Sequence, residues 1–174
     1  VAMPTFAQHN HKHPHPHAKK KAIAKKRAVK AHKVNMVQAI NVMKRTNRVI
    51  VVAHKAVKKN KNYTGHLAKS IRHQRYAKAL LKRNRAHRAV LHSRLERKYA
   101  FIAISNNKGK ADRTLEFNEE ETKLTGGETV SDAELEKELG VDDPKTEFDD
   151  SKVTDKELTE LQVLDMNPAD YKNQ

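Results

Sequence analysis

The chain has 174 residues, 37% of them hydrophobic and 5% aromatic, with no Trp and no Cys. That is enough for one domain plus a tail. It is poor in the aromatic and aliphatic walls of a deep substrate pocket, and the lack of Cys excludes disulfides, thiolate metal sites and Cys nucleophiles. The net charge of +15 hides an asymmetry: residues 1–111 carry 29 Lys/Arg against one acid, Glu96, whereas residues 112–174 carry 7 against 20 acids.

Residues 1–17 read as a disordered, His-rich arm. Pro4, Pro14 and Pro16 break helices, and nothing apolar offsets the entropy of ordering. The alternating His9, His11, His13, His15 and His17 would share one side of an extended chain and could bind Zn²⁺, Ni²⁺ or Cu²⁺ adventitiously; the preferred reading is a solvated arm, and no metal site or cofactor is assigned. Residues 18–105 read as a basic helical region, a long hairpin. Its first helix covers 18–61, with a stripe of Met36, Ile40, Met43, Asn47, Ile50, His54 and Val57 at heptad-like spacing. In that stripe Asn47 and His54 are polar interruptions that limit packing and set register.

The polar stretch 58–65 ends in Gly65 and reads as the helix–helix connection. A second, uninterrupted helix is expected over 66–105, with no Gly or Pro for forty residues. Its dense Lys and Arg repel one another at i,i+4, so an anionic partner must offset them. Residues 106–129 read as a linker, in which Glu119-Glu120-Glu121 and Gly126-Gly127 mark exposed chain.

The acidic tail, 130–174, carries a repeat. Val130-Ser131-Asp132-Ala133-Glu134-Leu135 matches Val153-Thr154-Asp155-Lys156-Glu157-Leu158. Each copy holds a capping box, Ser131 with Glu134 and Thr154 with Glu157, and an apolar staple. Two short helices are expected, the first ending at Gly140 and the second near Asp165. The fold class is therefore mainly α.

A cationic segment with a single acid points to nucleic acid, DNA or RNA, bound through its phosphates. The candidate contacts are Lys25, Lys26, Arg27, Arg72, Arg75, Lys78, Lys82, Arg83, Arg85, Arg88 and Arg94. No base-reading motif accompanies them, and Tyr63, Tyr76, Tyr99 and Phe101 are candidates for core packing or base stacking. Catalysis finds no constellation: Ser70 and His73 are three apart, with no carboxylate near in sequence to orient the His. No apolar run reaches the ~18 residues of a membrane span. No signal-peptide core is present, which points to a place inside a cell or a virion.

Two short segments resemble tailed-phage virion proteins. Thr64-Gly65-His66-Leu67-Ala68-Lys69-Ser70-Ile71 resembles a T-G-x-L-x-x-S-I segment of minor tail-completion proteins, which there follows a helix and opens a β-sheet. Val42-Met43-Lys44-Arg45-Thr46-Asn47, and Gly65 followed by Ser70-Ile71-Arg72, are similar to patterns in the long helices of short-tailed-phage internal core proteins. Both resemblances imply a virion component and transfer no functional residue.

The expected function is that of a non-enzymatic structural protein lying against nucleic acid, among other subunits of a virion or ribonucleoprotein particle. The alternative is a phage connector, or tail or core component, acting through protein contacts. The tail is expected to lie over the 66–98 helix through Glu134, Glu138, Glu157 and Glu160. The rival expectation is that it docks another subunit through Leu135, Leu139, Leu158 and Leu161.

Overall fold

Asn35 opens the first helix, α1 (Met36–Asn60), with a reciprocal capping box. Its side chain accepts from the Gln38 N–H at 2.8 Å, and the Gln38 side chain accepts from the Asn35 N–H at 3.1 Å. The computed structural model describes residues 35–126, 130–140 and 146–162, all within one unit, His32–Gln174. The expected arm, residues 1–17, and the first part of the first helix lie outside the described residues.

The Met36–Val57 stripe faces inward as expected, with Ile40, Met43, Asn47, Ile50, His54 and Val57 all buried. The β-branched Val49–Val52 stretch is helical, because burying one face outweighs a weak propensity. Two helices follow: α2 (His66–Lys82), antiparallel to α1, and α3 (Ala86–Asn106), which folds back along α2. The result is a three-helix bundle.

The uninterrupted helix expected over 66–105 is therefore two helices. Asn84 sits in the left-handed region at φ 56°, which Asn tolerates better than most residues. The Asn84 N–H donates to Leu81 O and the Arg85 N–H to Leu80 O, each at 2.9 Å, closing a Schellman turn. Folding back buries the apolar faces of α2 and α3 against α1, which a single rod cannot do. The second half of the T-G-x-L-x-x-S-I segment lies in α2, a helix, where the resemblance implied the start of a sheet.

The stretch expected as an exposed linker is also structured. Residues 109–117 form a strap across α1 and α3, with a single 3-10 turn at Arg113–Leu115. It leads to α4 (Glu119–Leu124), capped reciprocally by Asn118 and Glu121. Glu119 and Glu120 are exposed, but Glu121 is buried, drawn in by the Arg97 guanidinium at 2.8 and 2.9 Å.

The two repeat copies form α5 (Asp132–Glu138) and α6 (Asp155–Leu161). Ser131 and Thr154 cap them as expected, and Gly140 takes the left-handed position after α5 at φ 60°. Helix α6 stops at Leu161, short of the expected Asp165, because Gln162 turns to an extended conformation. The copies dock in different places. Leu135 packs with Leu91, Leu95 and Tyr99; Leu158 and Leu161 pack with Val57, Leu67 and Ile104.

The tail also supplies a cap that α2 lacks. Gly65 has no side chain to offer, and the buried Asp150 carboxylate accepts from the Thr64, Gly65 and Ala68 N–H groups at 3.0, 2.8 and 2.9 Å. Gly65 is required there. Its φ is 77°, and a Cβ would sit 2.8 Å from the Phe148 carbonyl oxygen.

Two apolar layers fill the bundle. One gathers Ile40, Met43, Leu80, Leu81 and Val90; the other gathers Ile50, Val57, Leu67, Ile71 and Ile104. Between them lies a polar layer of Thr46, Asn47, Ser70, His73, Gln74, His92, Ser93, Glu96 and Arg97, all buried. Gln74 donates to Asn47, and Ser70 donates to the Glu96 carbonyl at 2.9 Å. Ser93 donates to Thr46 at 2.8 Å. Such pairings hold three helices in one register, the role expected of Asn47.

Burial holds both layer histidines neutral, lowering His73 to about 4 and His92 to about 3. Their Nδ1 atoms are 3.0 Å apart, and His92 Nε2 is 3.0 Å from Glu138. Neutral rings satisfy this in one way: His73 Nδ1–H donates to His92, and His92 Nε2–H donates to the carboxylate. His73 Nε2 is then left without a partner, as found.

Glu96 is fully buried, and neither carboxyl oxygen has a hydrogen-bond partner. Burial raises its pKa well above the ordinary range, against the opposing pull of the neighbouring Arg97 charge. The signs are opposite. Below about 6.5 the unfolded histidines take up protons that the folded ones refuse, so stability falls as pH falls toward their folded values. Folded Glu96 keeps a proton that the unfolded chain loses above about 4.5, so its contribution falls as pH rises. Two histidines outweigh one glutamate on the acid side, and stability should peak near pH 6–7. In Glu96→Gln the alkaline fall should flatten. Urea midpoints from pH 4 to 9 check this, and equal alkaline slopes in both chains would refute it.

Candidate nucleic-acid interface

The cations expected to contact phosphate divide into three sets. Lys25, Lys26 and Arg27 lie outside the described residues. A second set is engaged by the chain's own tail. Arg72 donates through Nε and an Nη to the Leu139 carbonyl at 3.2 and 2.9 Å, at the end of α5. Arg75 pairs with Glu157, and Arg88 with Glu138. Lys78 donates to the Glu160 and Gln162 carbonyls at 2.8 and 3.1 Å, at the end of α6. Arg94 and Lys98 share Asp132 at 2.6 and 2.5 Å. Burial alone would raise the Asp132 pKa, but these two cations outweigh it and hold the carboxyl low.

The tail thus lies on the α2–α3 face. Of the carboxylates expected there, Glu138 and Glu157 reach cations of the bundle. Glu134 instead caps its own helix at Ser131, and Glu160 faces Lys156 at 3.8 Å. Of the leucines the rival expectation named, Leu135, Leu158 and Leu161 are buried in this chain and so are not free to dock another subunit, while Leu139 is half-buried. Leu135 and Leu158 each lie four residues after their caps, and Leu161 seven after Thr154, a spacing that here serves intramolecular packing.

The third set, Lys82, Arg83 and Arg85, is exposed around the α2–α3 turn. Among the described residues no carboxylate pairs with these three. They border the C-terminal end of α2, where the helix dipole favours cations.

A further cationic surface escaped the sequence reading. Lys44, Arg48, Lys55 and Lys59 recur at spacings of four, seven and four, which places them in one column on the outer side of α1. Arg48, Lys55 and Lys59 are exposed and Lys44 is half-buried. Among the described residues no acid pairs with this column. Neighbouring α1 cations differ: Arg45 meets Glu121 at 3.3 Å, and Lys58 meets Asp155 at 2.9 Å. The column runs about 22 Å at ~1.5 Å per residue. At its C-terminal end the exposed Lys108 and Lys110 flank Gly109, a residue at which a Cβ would sit 3.0 Å from the Ala56 side chain. Lys and Arg are denser in 66–98 than in α1, but the four-seven-four spacing on α1 is a signal carried by the sequence.

The stacking candidates divide too. Tyr99 is buried, and Tyr76 packs edge-on to His92 at 4.7 Å between centroids. Tyr63 is exposed, and Phe101 is half-buried beside the strap. Ser70 and His73 are both fully buried, and Ser70 is committed to a backbone carbonyl. Among the described residues no cluster of three or more His or carboxylate side chains is placed to hold a metal ion. No described helix is long and apolar enough to cross a membrane. Comparison with family models, with curated proteins and with solved structures gave no match.

Proposed function

We propose that the protein is a non-enzymatic structural component that lies against nucleic acid within a larger assembly, such as a virion or ribonucleoprotein particle. The observation that carries this reading is the sorting of charge. The tail neutralises much of α2 and α3, while the Lys44–Arg48–Lys55–Lys59 column stays open to solvent. Residues 1–34, which precede α1, add nine Lys/Arg and no acid. Open cations in a column suit a regularly spaced polyanion. The affinity comes mainly from counterion release and carries little sequence preference.

A second reading is a connector whose basic faces meet acidic subunits. It draws on Asp132, Glu138 and Glu157, which show the chemistry by which peptide carboxylates hold this bundle's cations.

The two readings part in a salt titration. If six to ten phosphates are contacted, log K for duplex DNA should fall with log salt at a slope of about −5 to −9. Replacing Arg48, Lys55 and Lys59 by Gln should reduce that slope by about 2–3 and weaken all sequences alike. A flat salt dependence, or a strong preference for one short sequence, would reject the nucleic-acid reading. A stoichiometric complex with an acidic protein and no nucleic acid would favour the connector.

A further inference from the structure

Between the strap and α3 lies a half-open cavity of about 620 Å³. Its apolar wall includes the two half-buried rings Phe101 and Phe117, with Ile102. Arg97 lies across Phe117 at 4.9 Å from the ring centre and is itself held by Glu121, so this ring is braced from behind. Around the walls stand Arg94, Lys98 and the exposed Arg113, against Glu116 as the one lining acid. Aromatic walls with cations around them match a ligand that has a flat apolar body and a negative group beside it.

The strap that walls the cavity also packs on α1, beside the open column. On α1, Ala56 touches the strap at Gly109, and Arg45 donates to the Thr114 carbonyl at 2.7 Å. At about 100° per residue these positions neighbour the Lys44–Lys59 column. The exposed Lys108, just before the strap, and the exposed Lys110 and Arg113 on it add cations along the segment that walls the cavity.

We propose that this cavity takes an unstacked base of single-stranded nucleic acid, with Phe101 and Phe117 against the base and Arg94, Lys98 and Arg113 near its phosphates. The proposal rests on the nucleic-acid reading above and deepens it, since the column alone gives no reason to distinguish single strands from duplex. Asp132 already holds Arg94 and Lys98, and Glu116 pairs with Arg113, so the phosphates would compete with two carboxylates and the contact should tighten at low salt.

The test uses the full chain with an oligothymidylate of eight nucleotides and an abasic oligomer of the same length and charge. The base-bearing strand should bind roughly ten-fold more tightly, in line with stacking of one base on an aromatic side chain. Phe101→Leu should narrow that difference. With fluorophenylalanine incorporated, the thymidylate should shift the Phe101 and Phe117 resonances and leave Phe148 unmoved, a readout that needs no variant to fold. Equal binding of the two oligomers, or unmoved resonances at Phe101 and Phe117, would overturn the cavity proposal while leaving duplex binding intact. Shifts produced by an acidic aromatic peptide and by no oligonucleotide would overturn it in favour of a protein ligand. Failure of every nucleic acid to bind would instead reject the broader reading.

Discussion

Glu121→Ala should lower the unfolding free energy by about 3–5 kcal/mol, the usual consequence of leaving a buried charge without its partner. Arg97 is 1% exposed. Its guanidinium donates to both Glu121 oxygens, to Thr46 Oγ1 at 2.9 Å, to the Val42 carbonyl at 3.0 Å and to the Leu115 carbonyl at 3.1 Å. Removing the carboxylate keeps the cation buried among neutral acceptors. It also removes the acid that Arg45 meets and that accepts from the Asn118 N–H, so α4 loses its reciprocal cap. Arg97→Met with Glu121→Leu should recover much of the loss, because an apolar pair of similar size avoids the desolvation cost. Urea denaturation of the three chains checks both statements. A loss below about 1 kcal/mol for Glu121→Ala would mean that water reaches the pair and that the strap is loosely held.

Ending the chain after Gly126 should abolish cooperative unfolding altogether. Leu135, Leu158 and Leu161 are 0%, 8% and 6% exposed, and burying a leucine is worth about 1.5–3 kcal/mol. The Asp150 carboxylate, which holds the first N–H groups of α2, adds about 1.5–3 kcal/mol in charge-assisted bonds. The sum is on the order of 8 kcal/mol, comparable with the whole stability of a domain this size. The truncated chain should show a broad, non-cooperative melt by circular dichroism. A sharp transition close to that of the full chain would show the bundle to be self-sufficient.

A shielding role for the tail therefore has to be examined without deleting it. Asp132→Asn, Glu138→Gln and Glu157→Gln together keep the leucines and Asp150 in place while releasing Arg75, Arg88, Arg94 and Lys98. If the tail shields these cations, this chain binds duplex DNA more tightly at low salt, and the gain fades as salt rises.

Much of the fold was legible because its signals are local. The Met36–Val57 stripe, the Ser131 and Thr154 caps and the stop at Gly140 each depend on residues within a turn or two of one another. The opposition of a basic bundle and an acidic tail was plain from composition, and so was the need for anions over α2 and α3. The break at Asn84 was not legible. Asn is an ordinary helix residue until a third helix offers the two halves a face to bury together, and only then does the left-handed turn become the lower free energy. Glu121 read as one of three exposed acids; a buried guanidinium 24 residues earlier in the chain made it part of the core. Asp150 read as one of many tail acids, and its place at the start of α2 follows from the docking of α6 on the bundle. The sorting of cations into paired and open sets was likewise decided in three dimensions. Sequence determines how many charges of each sign there are, but pairing depends on which carboxylates packing brings within about 3–4 Å of a cation, because only at such distances does attraction outweigh the solvation of both groups.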